Sequence, residues 1–297
     1  MSVPTDCIEL LSPAKVNLML SVHGPQADGF HALTSVVVAL DFGDRLSVQQ
    51  ASSREDVLRC ADPSVPTGIE NLVVQAAALF RETVGKPLYY EFELEKSIPM
   101  GAGLGGGSSN ASTALLAMNS LAGEPLSKGT LMELAAQLGS DCPFFIDPRP
   151  SLMKGRGELI EPLADELADV LRGQSIVLFR PDFAVNTAWA YGQIREHAPD
   201  GYEDEGVALN RFLGFERSQD LGELLFNSFE PVVVRKYVSV ACILTELREK
   251  EVQCLMSGSG SCCFAILKES NLSSSHMHGI CRNAWGSSVF WVVTSVT

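Results

Sequence analysis

The chain has 297 residues, of which 46% are hydrophobic and 20% charged, so it can bury a substantial core and is not a disordered polymer. Its 36 acidic against 22 basic residues give a net charge of −14, which argues against the clustered basic face that binds nucleic acid. No apolar run approaches the roughly 20 residues needed to cross a bilayer, and the opening residues lack the basic and apolar leader of a secreted chain, so a soluble cytoplasmic protein without a membrane partner is expected.

In chain order, apolar bursts at 8–11, 16–22, 34–40 and 45–48 are punctuated by Gly24, Pro25, Gly29 and Gly43-Asp44. They predict strands joined by hairpin turns. Residues 70–84 have helical composition, with Asn71 placed to cap them. Alternation over 88–94 predicts a half-buried strand. A glycine run follows, then a helix from about 108 to 121. Another helix is expected over 127–138, with Ser127 as N-cap and Gly139 just past its end. Beyond it, 175–180 reads as a strand, 187–197 and 222–226 as helical, and 232–249 as a longer helix. Residues 257–261 read as a turn, and 262–267 and 289–293 as strands. This mixed order predicts an α+β fold instead of an alternating doubly wound sheet. A composition shift near 150–175 suggests two domains, 1–160 and 161–297. The eight cysteines are scattered, with no C-x-x-C pair or zinc spacing, and are expected to be buried, reduced thiols.

Residues 97–110, SIPMGAGLGGGSSN, place five glycines in seven positions. Such a run suits backbone that approaches a ligand closely, and the helix behind it aims its dipole and free N–H groups at the same point. The combination predicts an anion site suited to phosphate. A Walker loop would end in G-K-[ST], whereas this one ends in Gly107-Ser108-Ser109 with no lysine. Gly101, Gly103 and Gly106 fit a dinucleotide fingerprint literally, but Pro99 precedes them and a second helix follows where a strand should stand. A plain surface loop is disfavoured by the apolar elements on both sides.

Two other segments suit the same site. Lys15 and Asn17, two apart on an apolar strand, share a face, and a lysine there is costly to bury unless it meets an anion. Residues 256–264, MSGSGSCCF, form a glycine-serine turn between apolar strands. With Pro99–Ser109 matching P-x-x-x-G-L-G-[GS]-[GS]-S-S, the three segments together resemble the GHMP kinase superfamily, which includes galactokinase, homoserine kinase and mevalonate kinase. Blocks at 12–18 (SPAKVNL), 27–33 (ADGFHAL), 40–44 (LDFGD), 138–145 (LGSDCPFF), 227–231 (NSFEP) and 256–261 (MSGSGS) extend the likeness along nearly the whole chain. They are similar to the members that phosphorylate the 2-hydroxyl of a diphosphocytidyl-methylerythritol in non-mevalonate isoprenoid synthesis.

The resemblance implies a two-domain GHMP kinase fold: a ribosomal protein S5 domain 2-like N-terminal domain and a ferredoxin-like C-terminal domain, with the site in the cleft. By the same likeness, Asp141 accepts the hydroxyl proton, and Lys15 sits beside it, supporting its charge and orienting the hydroxyl. Pro99, Gly101, Gly103, Leu104, Gly105, Gly106, Gly107, Ser108, Ser109 and Asn110 surround the ATP phosphates, with Asn71 and Lys96 about the nucleotide. Phe30 stands where tyrosine is commoner in the family, and with His31 and Tyr191 it would hold the cytosine. Asn17 and Thr187 would contact substrate. Mg²⁺ is expected to ride on ATP, since the sequence shows no dedicated carboxylate cage. The partners implied are therefore ATP and a cytidine diphosphate alcohol, with oligomeric state left open. A GHMP kinase of another small alcohol, or a catalytically dead binding protein of this fold, are the alternatives.

Overall fold

The computed structural model of the chain describes residues 7–26, 29, 31–267 and 270–297. They form two compact units interleaved along the sequence. The first holds the described residues up to Ala14, with Phe42–Pro99 and Gly105–Pro148; the second holds Lys15–Asp41, Met100–Leu104 and Arg149–Thr297. Two long strands, β1 (Cys7–Pro25) and β2 (His31–Gln50), give residues to each.

The first unit continues with β3 (Val57–Cys60), α1 (Leu72–Val84), β4 (Tyr90–Glu95), α2 (Gly106–Leu121) and α3 (Lys128–Leu138). Strand β4 alternates as expected, burying Tyr90, Phe92 and Leu94 while Glu93 and Glu95 face water. It pairs antiparallel with β2, from Arg45 opposite Glu95 to Gln50 opposite Tyr90, and parallel with β3. Helix α1 presents Val73, Ala76, Ala77 and Phe80 at helical spacing to the core that holds Phe92 and Leu94. Asn71 caps it by accepting from the Val73 amide at 2.9 Å, and Gly85 closes it at φ 67°. Helix α2 adds Ala111, Ala114, Leu115 and Met118 to the same core.

The second unit contains β5 (Ser151–Lys154), β6 (Leu159–Pro162), α4 (Asp165–Leu171), β7 (Ser175–Arg180), α5 (Thr187–Glu196), α6 (Glu205–Ser218), β8 (Phe226–Asn227), α7 (Glu230–Lys236), α8 (Val238–Glu249), β9 (Cys254–Met256), β10 (Cys263–Ile266), α9 (Ser274–Trp285) and β11 (Phe290–Ser295). Here β1 pairs parallel with β8 at Met19 and Leu20, and β2 pairs antiparallel with β5 at 35–37. A separate antiparallel sheet runs β11-β7-β10-β9, with Phe264 opposite Leu178 on one side and Leu255 on the other. Helix α8 sends Val240, Ile243, Leu244 and Leu247 into the cluster that holds Val177, Phe179 and Ala265 of that sheet. Helices packed on antiparallel strands make this unit α+β in its own right.

The structure departs from the sequence reading at several elements. No turn forms at Gly43-Asp44; β2 runs through them, because Gly43 lies against the backbone of the first unit's β1 residues. A Cβ at Gly43 would overlap the Ser12 carbonyl oxygen and come within 2.8 Å of the Pro13 Cα, so this glycine serves a close approach and not a bend. Residues 222–226 are a 3-10 turn (Leu221–Glu223), with Asp220 accepting from the Gly222 amide at 2.8 Å, followed by β8. The long helix over 232–249 is two, broken at Tyr237 (φ −104°, ψ 71°), whose ring stacks on Phe183 at 4.9 Å. Helices α4, α6 and α9 had no counterpart in the sequence reading; α9, for example, buries only Met277 and Cys281, too narrow a stripe to stand out. The thiols are free, and Cys142, Cys254, Cys262, Cys263 and Cys281 are buried as expected, whereas Cys7 and Cys242 are exposed. Gly43→Ala should lower stability by roughly 1–3 kcal/mol through overpacking, seen as a lower urea midpoint at unchanged slope. A midpoint equal to wild type would contradict the close approach.

Candidate active site

The start of α2 differs from the other described helix starts in its left-handed N-cap residue; α4, α7 and α8 also lack a side-chain cap, but their N-cap residues are not left-handed. Asn71, Ser127, Asn186, Asp204 and Ser273 cap α1, α3, α5, α6 and α9 with their side chains, each accepting a hydrogen bond from a first-turn amide. Helix α2 has no side-chain cap; Gly105 takes the N-cap position in the left-handed region at φ 71°. Gly101 and Gly103 are left-handed as well, at φ 60° and 78°. The first amides of α2 at Gly106, Gly107 and Ser108 thus combine with the helix dipole to favour an anion.

Beneath that start, in the first unit, lies a buried polar network. Asp44 has no exposed surface, yet its Oδ1 accepts from the amides of Ser97 and Ile98 at 2.7 and 2.8 Å. Its Oδ2 accepts from Asn110 Nδ2 at 2.9 Å and from the Lys96 ammonium in an ion pair. Asn110 Nδ2 also donates to Ser12 Oγ at 2.8 Å, and Ser12 donates to Ser109 Oγ at 2.9 Å. Lys96 therefore reaches the helix start from below: its Nζ would stand 3.3 Å from a Cβ at Gly106. Asn71 uses its Oδ1 on the α1 cap and its Nδ2 on the Pro66 carbonyl at 2.7 Å.

Asp141 sits half-buried in the turn after α3, where the Cys142 amide donates to the Gly139 carbonyl at 3.1 Å. The next residue ties this turn to α2, since Ser112 Oγ donates to the Cys142 carbonyl at 2.7 Å. Burial pushes the Cys142 thiol up to about 11, a rise that its hydrogen bond to Ser108 only partly offsets. Asp141 and the α2 start are thereby held by one local structure.

In the second unit, Lys15 Nζ donates to Asn17 Oδ1 at 2.6 Å, Asn17 Nδ2 donates to Ser35 Oγ at 2.8 Å, and Ser35 donates to the Met19 carbonyl at 2.6 Å. The Lys15 amide donates to the Leu104 carbonyl at 3.0 Å, which fixes it to the glycine loop. That part of the loop also rests on the glycine-serine turn. The Cys262 amide donates to the Ala102 carbonyl at 3.2 Å, and Ser257 Oγ to the Gly103 carbonyl at 3.0 Å. A Cβ at Gly103 would overlap the Ser257 carbonyl oxygen and lie 3.2 Å from the Gly260 amide. Asn227 braces the turn, donating to the carbonyls of Met256 and Gly258 at 2.6 and 2.8 Å. Thr187 Oγ1 meets Ser259 Oγ at 2.8 Å.

His31 stacks on Tyr191 with ring centroids 5.2 Å apart, and Tyr191 meets the Phe229 ring edge-on at 4.8 Å. Burial, then the charge of Arg195, lowers the His31 pKa, so the neutral ring is favoured. Phe30 lies outside the described residues. Sequence reasoning assigned no role to Ser12, Asp44, Asn227, Ser257 or Tyr202. Four of these lie inside the blocks that carried the resemblance, and an aspartate after a glycine in an apolar strand is itself a sign of a buried, bonded carboxylate.

Residues 71–148 match the family described as GHMP kinases N terminal domain, and 208–274 match GHMP kinases C terminal. The 4-diphosphocytidyl-2-C-methyl-D-erythritol kinase of Synechococcus sp. (strain CC9902) is 36% identical over 276 residues, covering 87% of each chain. The chain belongs to this kinase family, within the GHMP kinases. The enzyme of the same name from Citrifermentans bemidjiense is 34% identical, over 91% of this chain and 92% of its own. A crystal structure of a 4-(cytidine 5'-diphospho)-2C-methyl-D-erythritol kinase superposes with a TM-score of 0.76 at 32% identity, covering 97% of this chain and 99% of that one. Methanococcus jannaschii mevalonate kinase shares the fold at a TM-score of 0.73, with 12% identity. The expected α+β, two-domain GHMP kinase fold is thus the fold of this chain.

The Asp44 network makes a direct prediction. Asp44→Asn leaves the Lys96 ammonium buried without its counter-charge, and should cost about 3–5 kcal/mol in chemical denaturation. A loss below about 1 kcal/mol would show that the ion pair does not hold the loop.

Proposed function

We propose that this ATP-dependent kinase transfers the γ-phosphoryl group of ATP to the 2-hydroxyl of 4-diphosphocytidyl-2-C-methyl-D-erythritol, in non-mevalonate isoprenoid synthesis. The observation that carries the reading is the uncapped, glycine-built start of α2, in a chain whose relatives of matching length bear that kinase name. Phosphoryl transfer asks the protein for positioning and charge stabilisation more than for covalent chemistry. The amides of Gly105, Gly106, Gly107 and Ser108 hold the phosphates, with the helix dipole behind them. As the substrate oxygen forms its bond to the γ-phosphorus, the bond to the leaving ADP oxygen breaks and the hydroxyl proton passes to Asp141. Lys15, kept extended by Asn17, supplies the positive charge that orients the hydroxyl and offsets the charge on the transferring group.

In this reading a Mg²⁺ ion arrives on the nucleotide and not on a site of the protein's own. Bound there, it would neutralise β- and γ-phosphate charge. His31 and Tyr191 supply an aromatic pair for the cytosine, a feature without purpose for mevalonate or homoserine. The reading includes a cytoplasmic enzyme with small-molecule partners; separately, among the described residues no helix is long and apolar enough to cross a membrane.

Purified protein with ATP and Mg²⁺ should release ADP on addition of the diphosphocytidyl substrate and not of mevalonate or homoserine. Turnover of another alcohol in its place would sink the substrate assignment. Asp141→Asn should lower kcat by about 10²–10⁴-fold with ATP affinity near wild type, as measured by nucleotide titration. Unimpaired turnover would remove Asp141 from proton transfer.

A further inference from the structure

Tyr202 also meets His31. Its hydroxyl lies 3.2 Å from His31 Nε2, and the two rings are 5.6 Å apart at centroids. The neighbouring residue anchors this tyrosine on β1. The Glu203 amide donates to the Val22 carbonyl at 3.0 Å, and its carbonyl accepts from His23 Nδ1 at 2.7 Å. Its carboxylate forms a two-point pair with Arg211, 2.9 Å at each contact, and also accepts from Ser21 Oγ. The Arg211 guanidinium in turn lies over the Phe226 ring at 4.1 Å. A forked pair of this kind, 12% and 20% exposed, fixes direction as well as distance, so the backbone next to Tyr202 is held beside β1.

We propose that Tyr202 is a positioning residue that holds His31 as its Nδ1–H tautomer, so that His31 offers a hydrogen-bond donor to the acceptor edge of the substrate's cytosine. The chemistry sets the direction of the bond. An imidazole nitrogen is a stronger base than a phenol oxygen, so the tyrosine donates and Nε2 accepts. The ring proton of a neutral imidazole then resides on Nδ1, because the partner of one nitrogen decides the state of the other. Burial and Arg195 favour the neutral ring that this requires. Tyr191, stacked on the same ring, holds its plane. A donor at this point discriminates between pyrimidines, since N3 of cytosine carries a lone pair and N3 of uracil a proton; the mismatch leaves two donors facing each other.

The inference rests on His31 contacting the cytosine, and its test separates the two. In wild-type protein, ¹⁵N shifts of the His31 ring should report the Nδ1–H tautomer. Tyr202→Phe keeps the ring and removes the donor, and should release that tautomer preference at an unchanged melting temperature. It should also raise KM for the cytidine substrate about tenfold, the equivalent of one hydrogen bond, with a smaller change in kcat. Discrimination against the uridine analogue should fall with it. An Nε2–H tautomer in wild type, or shifts that do not respond to Tyr202→Phe, would overturn the role of Tyr202. A tautomer that responds while KM and discrimination stay fixed would instead overturn the contact between His31 and the base.

Discussion

A carboxylate shut away from water must find a donor for each of its lone pairs or unfold its surroundings, and Asp44 finds four. Two are the consecutive amides of Ser97 and Ile98, one is the Asn110 side chain on the first turn of α2, and one is the Lys96 ammonium. Strand end and helix start are therefore joined to β2 through a single side chain. The glycine run between them can be as pliant as its composition suggests and still deliver its amides to a fixed place. A buried pair of this kind adds little to net stability compared with a well-packed apolar replacement. What it supplies is a defined geometry for backbone that has no side chains of its own to pack.

A second constraint acts on the earlier part of the loop, within the second unit. Gly103 and the Ser257–Gly260 turn touch backbone to backbone, a contact that any side chain at Gly103 would prevent. Asn227 holds that turn from the other side by taking up two of its carbonyls. Lys15 enters the same arrangement through its own amide and Leu104. Glycines thus serve two ends here. Those at the helix start leave amides open to a ligand, whereas Gly43 and Gly103 let two stretches of backbone meet.

The residues proposed for chemistry are held by neighbours that do none of it. Asn17 and Ser35 extend Lys15, Ser112 and Cys142 steady the turn of Asp141, and the Glu203–Arg211 pair carries Tyr202 to His31. Such support suits a reaction whose barrier falls mainly through placement and charge, because an ångström of misplacement then costs more than the loss of any single weak contact. It also explains why polar side chains recur in cores that are otherwise apolar.

Much was already legible in the residues. Period-two alternation marked β4, helical spacing with Asn71 and Ser127 marked α1 and α3, and the apolar run SIVLFR marked β7. The density of glycine before an apolar helix marked irregular backbone ahead of α2, since no regular element tolerates such a run. Local pattern could not tell that Gly43 lies inside a strand, that Tyr237 breaks a helix, or that α9 exists at all. Each of these depends on what packs against the segment from elsewhere in the chain.

The uncapped start of α2 shows the division most clearly. Sequence alone determined that glycines precede the helix and that no lysine ends the loop. Only the tertiary structure decided that Asp44, Ser12 and Lys96 hold it, and that, within the second unit, Ser257 bonds to Gly103. The physical reason is distance along the chain. Asp44 and Asn110 are 66 residues apart, and Gly103 and Ser257 are 154 apart, so the bonds that join them exist only after the strands have paired and the core has closed.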